Sequence, residues 1–194
     1  MRRRFLLLLV LAMAAAARVA LAAQAQDTYA GDPAHTYAFF EVGHLGISWI
    51  RGRFNKVDAR VTLDRANLRG AIEAVIDTAS LDTGHAARDK HLRSEDYLHV
   101  EKFPTMTFRS SNLRFKGDTL VGADGELTLL GVTRPVALDI GYFKCIQHPR
   151  TKQDMCGADA RTTIRRSEFG LKRGADIPMH DEVRIALQIE AVRQ

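Results

Sequence analysis

The stretch Ser80 to Phe108, SLDTGHAARDKHLRSEDYLHVEKFPTMTF, gathers more chemically capable side chains than any other part of the chain. His85, His91 and His99 fall within it, six and eight residues apart, with Arg88, Asp89 and Arg93 between them. A zinc-binding helix presents two imidazoles four residues apart on one face, and these intervals do not, so no metal site is expected. Asp89 beside His91 would make an acid–base pair, but a charged, solvated helix face accounts for the same residues. The chain also lacks a Gly-x-Ser-x-Gly elbow, a phosphate-cradling glycine loop and a dinucleotide fingerprint. With neither a nucleophile nor a metal motif, the sequence reads as a binding protein with no catalytic residues, not as an enzyme.

Two cysteines, Cys145 and Cys156, offer the other reactive chemistry. Their spacing is not C-x-x-C and only His148 lies close, so a catalytic thiol or a metal pair lacks a motif. In an exported protein a lone pair is most simply a structural disulfide. Export itself is expected from the N-terminus. Met1 to Arg4 is basic, Phe5 to Ala17 is apolar, and Ala23-Gln24-Ala25 is a small-x-small cleavage pattern, together describing a signal peptide over residues 1–25. A membrane anchor would need roughly 18 apolar residues without interruption, and Arg18 breaks the run. Arg2-Arg3-Arg4-Phe5-Leu6 also fits a loose twin-arginine pattern, but the very hydrophobic run favours the general secretory route. Either route leads to the periplasm, with cleavage near Ala25.

Removing the leader changes the charge argument. The basic count falls from 28 to 24 against 23 acidic residues, so the formal balance drops from +5 to +1. Nucleic acid and anionic membrane surfaces need a clustered positive field, and none is visible. No nucleic-acid partner and no stable membrane span are expected. The remaining 194 minus 25, or 169, residues suit one domain, 26–194, with room for a core.

The elements that must hold these residues are strands. Alternation of period two runs through Thr36 to His44, Ile47 to Phe54, Val61 and Leu63, Ile72 to Asp77, Met106 to Ser110, both sides of Gly117-Asp118, Leu127 to Ile140 around Gly131-Val132-Thr133, Ala158 to Ile164, and Val183 to Ala191. A short polar lead-in precedes the first. Gly52 reads as a bend or bulge. The Lys144–Gly157 segment reads as a polar insert, with the cysteines stapling a hairpin mouth. Seven or eight strands with turns every 8 to 12 residues argue for an all-β barrel or sandwich. A closed barrel is preferred because it leaves no exposed edge. Small inward residues, Ala38, Gly52, Ala74 and Ser110, leave room for one ligand unless neighbouring large side chains fill the gap. The charged Asp82–Leu98 segment reads as a short helix capped by Asp82 or Thr83, with Asp89 and Arg93 paired four apart.

Several blocks then resemble one family in order. They are His44-Leu45-Gly46-Ile47, Gly52-x-Phe54, Ser80-Leu81-Asp82-Thr83-Gly84, Arg88 through Leu98, Phe103-Pro104-Thr105-Met106-Thr107-Phe108, Gly125-x-Leu127-Thr128, Gly131-Val132-Thr133-x-Pro135-Val136 and Arg166-Ser167-Glu168-Phe169-Gly170. Together they resemble the YceI-like, polyisoprenoid-binding family over nearly the whole mature chain. The resemblance implies a lipocalin-like barrel of eight antiparallel strands, with a helix in the connection around residues 84–97. It also implies a long apolar tunnel for an isoprenoid, an isoprenoid quinone or a similar long-chain amphiphile. The cysteine-bearing insert is a departure from the family.

On that reading the tail would lie against Phe40, Val42, Phe54, Ile72, Ile76, Met106, Phe108, Leu127, Leu129, Val136 and Leu138, each of which is equally an expected core residue. Arg88, His91, Arg93 and His44 are the headgroup candidates, since a phosphate or quinone oxygen wants cationic or hydrogen-bond donors. No cofactor is expected beyond such a bound lipid or quinone. Two other readings stand beside the carrier: an enzyme acting on a lipid or quinone intermediate through Asp89 and His91, and a stress-protective envelope protein without a ligand. The sequence does not decide the oligomeric state, a homodimer included.

Overall fold

The computed structural model describes residues 26–177 and 180–194. The expected signal peptide lies outside the described residues. Within them the alternating runs become eleven strands: β1 (Asp27–Gly31), β2 (Tyr37–His44), β3 (Ser48–Phe54), β4 (Val57–Asp64), β5 (Arg69–Asp77), β6 (Leu81–Asp82), β7 (Thr105–Lys116), β8 (Thr119–Leu129), β9 (Val132–Gln147), β10 (Asp154–Arg165) and β11 (Glu182–Arg193). One helix, α1 (Ala86–Arg93), joins β6 to β7.

The strands form one antiparallel sheet that closes on itself. From β4 the order runs through β5, β7, β8, β9, β10 and β11, and β1 completes the ring by pairing with both β4 and β11. Three staves of this barrel are broken strands. β11 sets Ala191 opposite Gly31 and Val183 opposite Val42, so β1 and β2 are successive halves of one stave. β3 and β4 make the next, because β3 pairs with β2 and β4 with β1. β5 and β6 make the third, across a 3-10 turn at Thr78–Ser80. With the breaks joined, the ring is a lipocalin-like barrel of eight staves.

In an up-and-down barrel successive connections alternate ends. The 45–47 turn, the α1 connection, the 130–131 turn and the 166–181 connection therefore lie at one end, and the turns after β4, β7 and β9 lie at the other. Most of the interior belongs to one buried cluster that includes Phe54, Ile76, Leu81, Phe108, Leu127, Leu138, Ile164 and Phe169. A second, smaller cluster of Tyr29, Leu63, Cys156 and Ala191 fills the end away from α1.

Four expectations are corrected. The polar lead-in is strand β1, and it closes the barrel. The Lys144–Gly157 insert is mostly strand: β9 and β10 extend to Gln147 and Asp154, and Cys145 pairs directly with Cys156 in register. The disulfide, with Cα atoms 4.0 Å apart, staples the β9–β10 hairpin near its turn as expected, and it packs inside the barrel among Tyr29 and Leu63. Gly52 makes no bulge, since β2 and β3 stay in register across it. A Cβ there would lie 2.5 Å from the Phe40 ring and 2.8 Å from Thr83 Cγ2, so the glycine makes room for Phe40. The helix cap is His85, whose Nδ1 accepts the Arg88 N–H at 3.2 Å, and not Asp82 or Thr83.

The disulfide closes a loop of sequence separation 11, and loop-closure entropy assigns such a link roughly 3 kcal/mol. Replacing both cysteines by alanine should lower the urea unfolding free energy by about that amount while leaving the far-ultraviolet circular dichroism unchanged. An unchanged unfolding free energy would mean that packing of Tyr29 and Leu63 alone holds this end.

Candidate functional site

A cavity of about 370 Å³ opens in the α1 end of the barrel. Its walls come from β2 and β3, from the inward faces of β5, β7, β8, β10 and β11, and from α1 with the loop after it. Seven of the expected tail contacts line it: Phe40, Val42, Phe54, Ile76, Met106, Leu127 and Leu129. Phe108 and Leu138 are buried in the packed core beyond it, and Ile72 and Val136 pack against that core, so the structure does not bring these four to the cavity. The second cluster and the disulfide fill the other end, which makes the space a one-ended pocket. Ala38, Phe39, Ile50, Leu81, Leu92, Leu98, Ile164, Leu171, Val183 and Ile185 complete the apolar lining. The strand phase could have supplied the β10 and β11 members of that group, because Ile164 is on the same face as Ala160 and Ile185 on the same face as Leu187.

Of the headgroup candidates, His44, Arg88 and His91 reach the cavity rim and Arg93 does not. Arg93 donates from Nε to the Ala79 carbonyl at 2.9 Å and from Nη2 to the Leu81 carbonyl, tying α1 to the β5–β6 break. Arg88 is held by Thr83, donating to its Oγ1 and its carbonyl at 2.8 Å each. His91 meets the Tyr97 ring edge-on at 5.0 Å and stands 3.4 Å from Asp96 Oδ2.

Asp89 and His91 are not brought together. Asp89 is buried, contrary to the solvated face expected, and its Oδ1 accepts the Thr83 N–H at 3.0 Å and the Thr83 hydroxyl at 2.5 Å. The expected Asp89–Arg93 pair does not form, because each side chain is spent on the β6 side. The carboxylate instead anchors the first turn of α1 to the chain entering it.

The sequence reading gave no role to Arg166, Tyr97 or His180, all at the rim. Arg166 follows β10 in a 3-10 turn, Arg166–Phe169, whose geometry is locked from both sides. Phe169 is 1% exposed in the core, and Asp181 accepts the Ser167 N–H at 2.9 Å and the Ser167 hydroxyl at 3.0 Å. Arg166 donates through Nε to the His180 carbonyl and through Nη2 to the Arg173 carbonyl. Arg173 in turn pairs with Asp96, which draws the 171–177 segment towards the end of α1. Burial lowers the Arg166 pKa from its usual value, with Tyr97 and Asp181 opposing.

His180 stacks on His44 with ring centres 6.0 Å apart, and its Nε2 accepts the Leu45 N–H at 2.8 Å. Burial, then Arg166 and His44, hold its pKa below the ordinary imidazole value. The opposite case is His35, on the break between β1 and β2. Its Nδ1 lies 2.7 Å from Asp32 Oδ2, and that bond, then Glu190, raises its pKa. Among the described residues Asp32, His35 and Glu190 are also the group whose ligand-type atoms converge, within 4.8 Å, but they lie away from the cavity and the Asp32–His35 bond already engages them.

A closed antiparallel barrel with a one-ended apolar cavity, a polar rim and a helix at its mouth defines a lipocalin-like barrel. The YceI-like domain matches residues 29–191. The chain belongs to the YceI-like family. It is 38% identical over 161 residues to a UPF0312 protein of Pseudomonas aeruginosa, covering 82% of this chain and 83% of that one. It is also 38% identical over 168 residues to one from Vibrio cholerae, covering 85% and 88%. Among solved structures, Burkholderia cenocepacia BcnA aligns with a TM-score of 0.70 at 25% identity, covering 82% of this chain and 98% of that one. A polyisoprenoid binding domain from Saccharophagus degradans, at 19% identity, shares the fold with a TM-score of 0.59, covering 86% and 98%. No described helix is long and apolar enough to cross a membrane.

Two measurements test this geometry. Asp89→Ala leaves the half-buried Thr83 N–H and hydroxyl without their carboxylate and should cost about 1–3 kcal/mol in urea unfolding, whereas His91→Ala at the exposed rim should stay within about 0.5 kcal/mol. Equal costs would contradict the anchoring role of Asp89. In an NMR pH titration His35 should titrate above 6.5 and His180 below it, since one gains a carboxylate partner and the other is desolvated beside a cation. Acidification through the lower transition should weaken the Leu45 amide bond, because a protonated Nε2 no longer accepts. The reverse order of titration would contradict the rim electrostatics.

Proposed function

We propose that the protein is an exported, periplasmic binding protein that sequesters or carries an isoprenoid or similar amphiphilic lipid, an isoprenoid quinone included, with its tail in the cavity. The observation that carries this reading is the one-ended apolar cavity of about 370 Å³, within the roughly 300–1,000 Å³ usual for small-molecule sites. Every methylene that leaves water for such a space contributes ~0.8 kcal/mol, so a tail binds with few polar contacts. The disulfide suits an oxidising compartment, and the leader pattern in residues 1–25 supports export. The polyisoprenoid-binding relative in fold supports the class of ligand. Carriage of this kind needs no catalytic group and no cofactor besides the lipid.

Organic extraction of the purified protein followed by mass spectrometry should recover a long-chain amphiphile. Val42→Trp, which fills the cavity from β2, should abolish that recovery and weaken binding of an added prenol by more than tenfold without unfolding the barrel. Wild-type protein that yields no lipid and shows no saturable prenol binding would overturn the proposal.

A further inference from the structure

The 45–47 turn leaves an unusual amount of apolar surface in water. Ile47 is 82% exposed and Leu45 57%, the two most exposed large hydrophobic side chains among the described residues, and both belong to this one turn. The backbone gives no reason for them. The Ile47 N–H closes the turn on the His44 carbonyl at 3.0 Å, and φ is +55° at Leu45 and +71° at Gly46. A two-residue hairpin loop with both central residues left-handed favours Asn-Gly. A leucine at the first of those positions is strained, and here it gains nothing from burial.

The turn is fastened to the mouth of the cavity. His44, the residue before it, lines the cavity, and the Leu45 N–H is held by Nε2 of His180, which lines it too. Leu45 and Ile47 themselves are not part of the cavity wall. Two side chains make a poor protein interface, since a stable one takes about 20–30 residues a side. Hydrocarbon needs no matching surface and accepts isolated apolar groups. From His44 to Ser48 the chain carries no carboxylate and no Lys or Arg, so nothing charged has to be stripped of water when the tip enters an apolar phase.

The residues behind the tip suit the layer above that phase. Trp49, the one tryptophan of the chain, follows Ile47 in β3, and a strand rise of about 3.3 Å per residue sets it roughly 7 Å back. The Arg184 guanidinium, which also meets Glu182 at 3.2 Å, lies over its ring at 3.9 Å. Tryptophan combines an apolar ring with an N–H donor and is enriched at the level of lipid headgroups.

We infer that the 45–47 turn is a docking tip for a lipid bilayer: Leu45 and Ile47 enter the hydrocarbon and set the cavity mouth against the membrane surface. A hydrophobic ligand then passes between bilayer and cavity without crossing bulk water. This rests on the lipid-cavity reading above, from which the choice of a lipid partner follows. So small an anchor gives weak, reversible contact, which is what a carrier that must leave again requires.

Flotation with phosphatidylcholine vesicles tests it, on protein freed of residues 1–25, whose hydrophobic run would bind lipid by itself. The wild type should float with the vesicles, and Trp49 emission should shift to the blue and be quenched by phosphatidylcholine brominated on its acyl chains. Ile47→Ser should weaken partitioning about tenfold or more, the scale of one large apolar side chain. Leu45→Asn, which suits the left-handed position, should weaken it similarly while leaving the urea unfolding midpoint unchanged or higher. A leucine kept only for the turn would show no such split. Prenol binding by both variants should stay within about threefold of wild type, because neither side chain lines the cavity. Wild-type protein that stays off the vesicles, or that binds them equally after both substitutions, would overturn the inference. A dimer that both substitutions dissolve, without vesicle binding, would assign the tip to a second copy of the chain and overturn it as well. Prenol binding without flotation sinks the docking tip alone, whereas flotation without prenol binding sinks the lipid-cavity reading.

Discussion

Everything in this molecule depends on how β11 is shared. Its C-terminal half pairs with β1 and its N-terminal half with β2, so one continuous strand of twelve residues bridges a broken stave. Without β1 the sheet would end at β4 on one side with an unpaired row of backbone groups, and such an edge invites pairing with other chains. The break between β1 and β2 is itself bound to β11: the Thr36 hydroxyl donates to the Glu190 carbonyl at 3.0 Å, and the Asp32 N–H to the same carbonyl at 2.7 Å. Closure is what makes an inside.

Closure also explains why the inside is unequal. Staves running the full height of the barrel place Tyr29, Leu63 and the Cys145–Cys156 bridge at one end, where they pack against each other. At the other end β6 is only two residues long, and β7 pairs with β5 but not with it. That leaves a notch in the wall, and the α1 connection covers it. The helix is held there by polar links, Asp89 to Thr83 and Arg93 to two carbonyls, more than by an apolar face, so the lid adds little that would fill the space beneath it. A filled end and a lidded end give a one-ended cavity.

At the rim of that cavity two requirements meet. Arg166, Leu171 and His180 bring the chain after β10 to the cavity, and the carbonyls of Arg173 and His180 need donors. Arg166 supplies them from inside, and Asp181 satisfies the turn that carries it. The arrangement leaves a buried cation beside an apolar wall. Burial, and then that same cation, lower the His180 pKa.

Much of this was legible in the order of residues. Period two gave the strands, most cleanly in β11, where neighbours along the chain decide which face is apolar. The short charged segment before Phe103-Pro104 read as a helix, and two lone cysteines read as a disulfide, because both rest on local rules. The chain alone also determined the family, through blocks in order from His44 to Gly170. Tertiary structure decided the rest, because it depends on contacts between residues far apart. Thr36 meets Glu190 across 154 positions and Leu45 meets His180 across 135. No local pattern marks a five-residue polar lead-in as the strand that closes a barrel. Nor does one mark Asp89 as buried, Phe108 as packed core and Phe40 as cavity wall, or Arg166 as a buried cation. Those are decided by which side chains arrive opposite one another once the ring has closed.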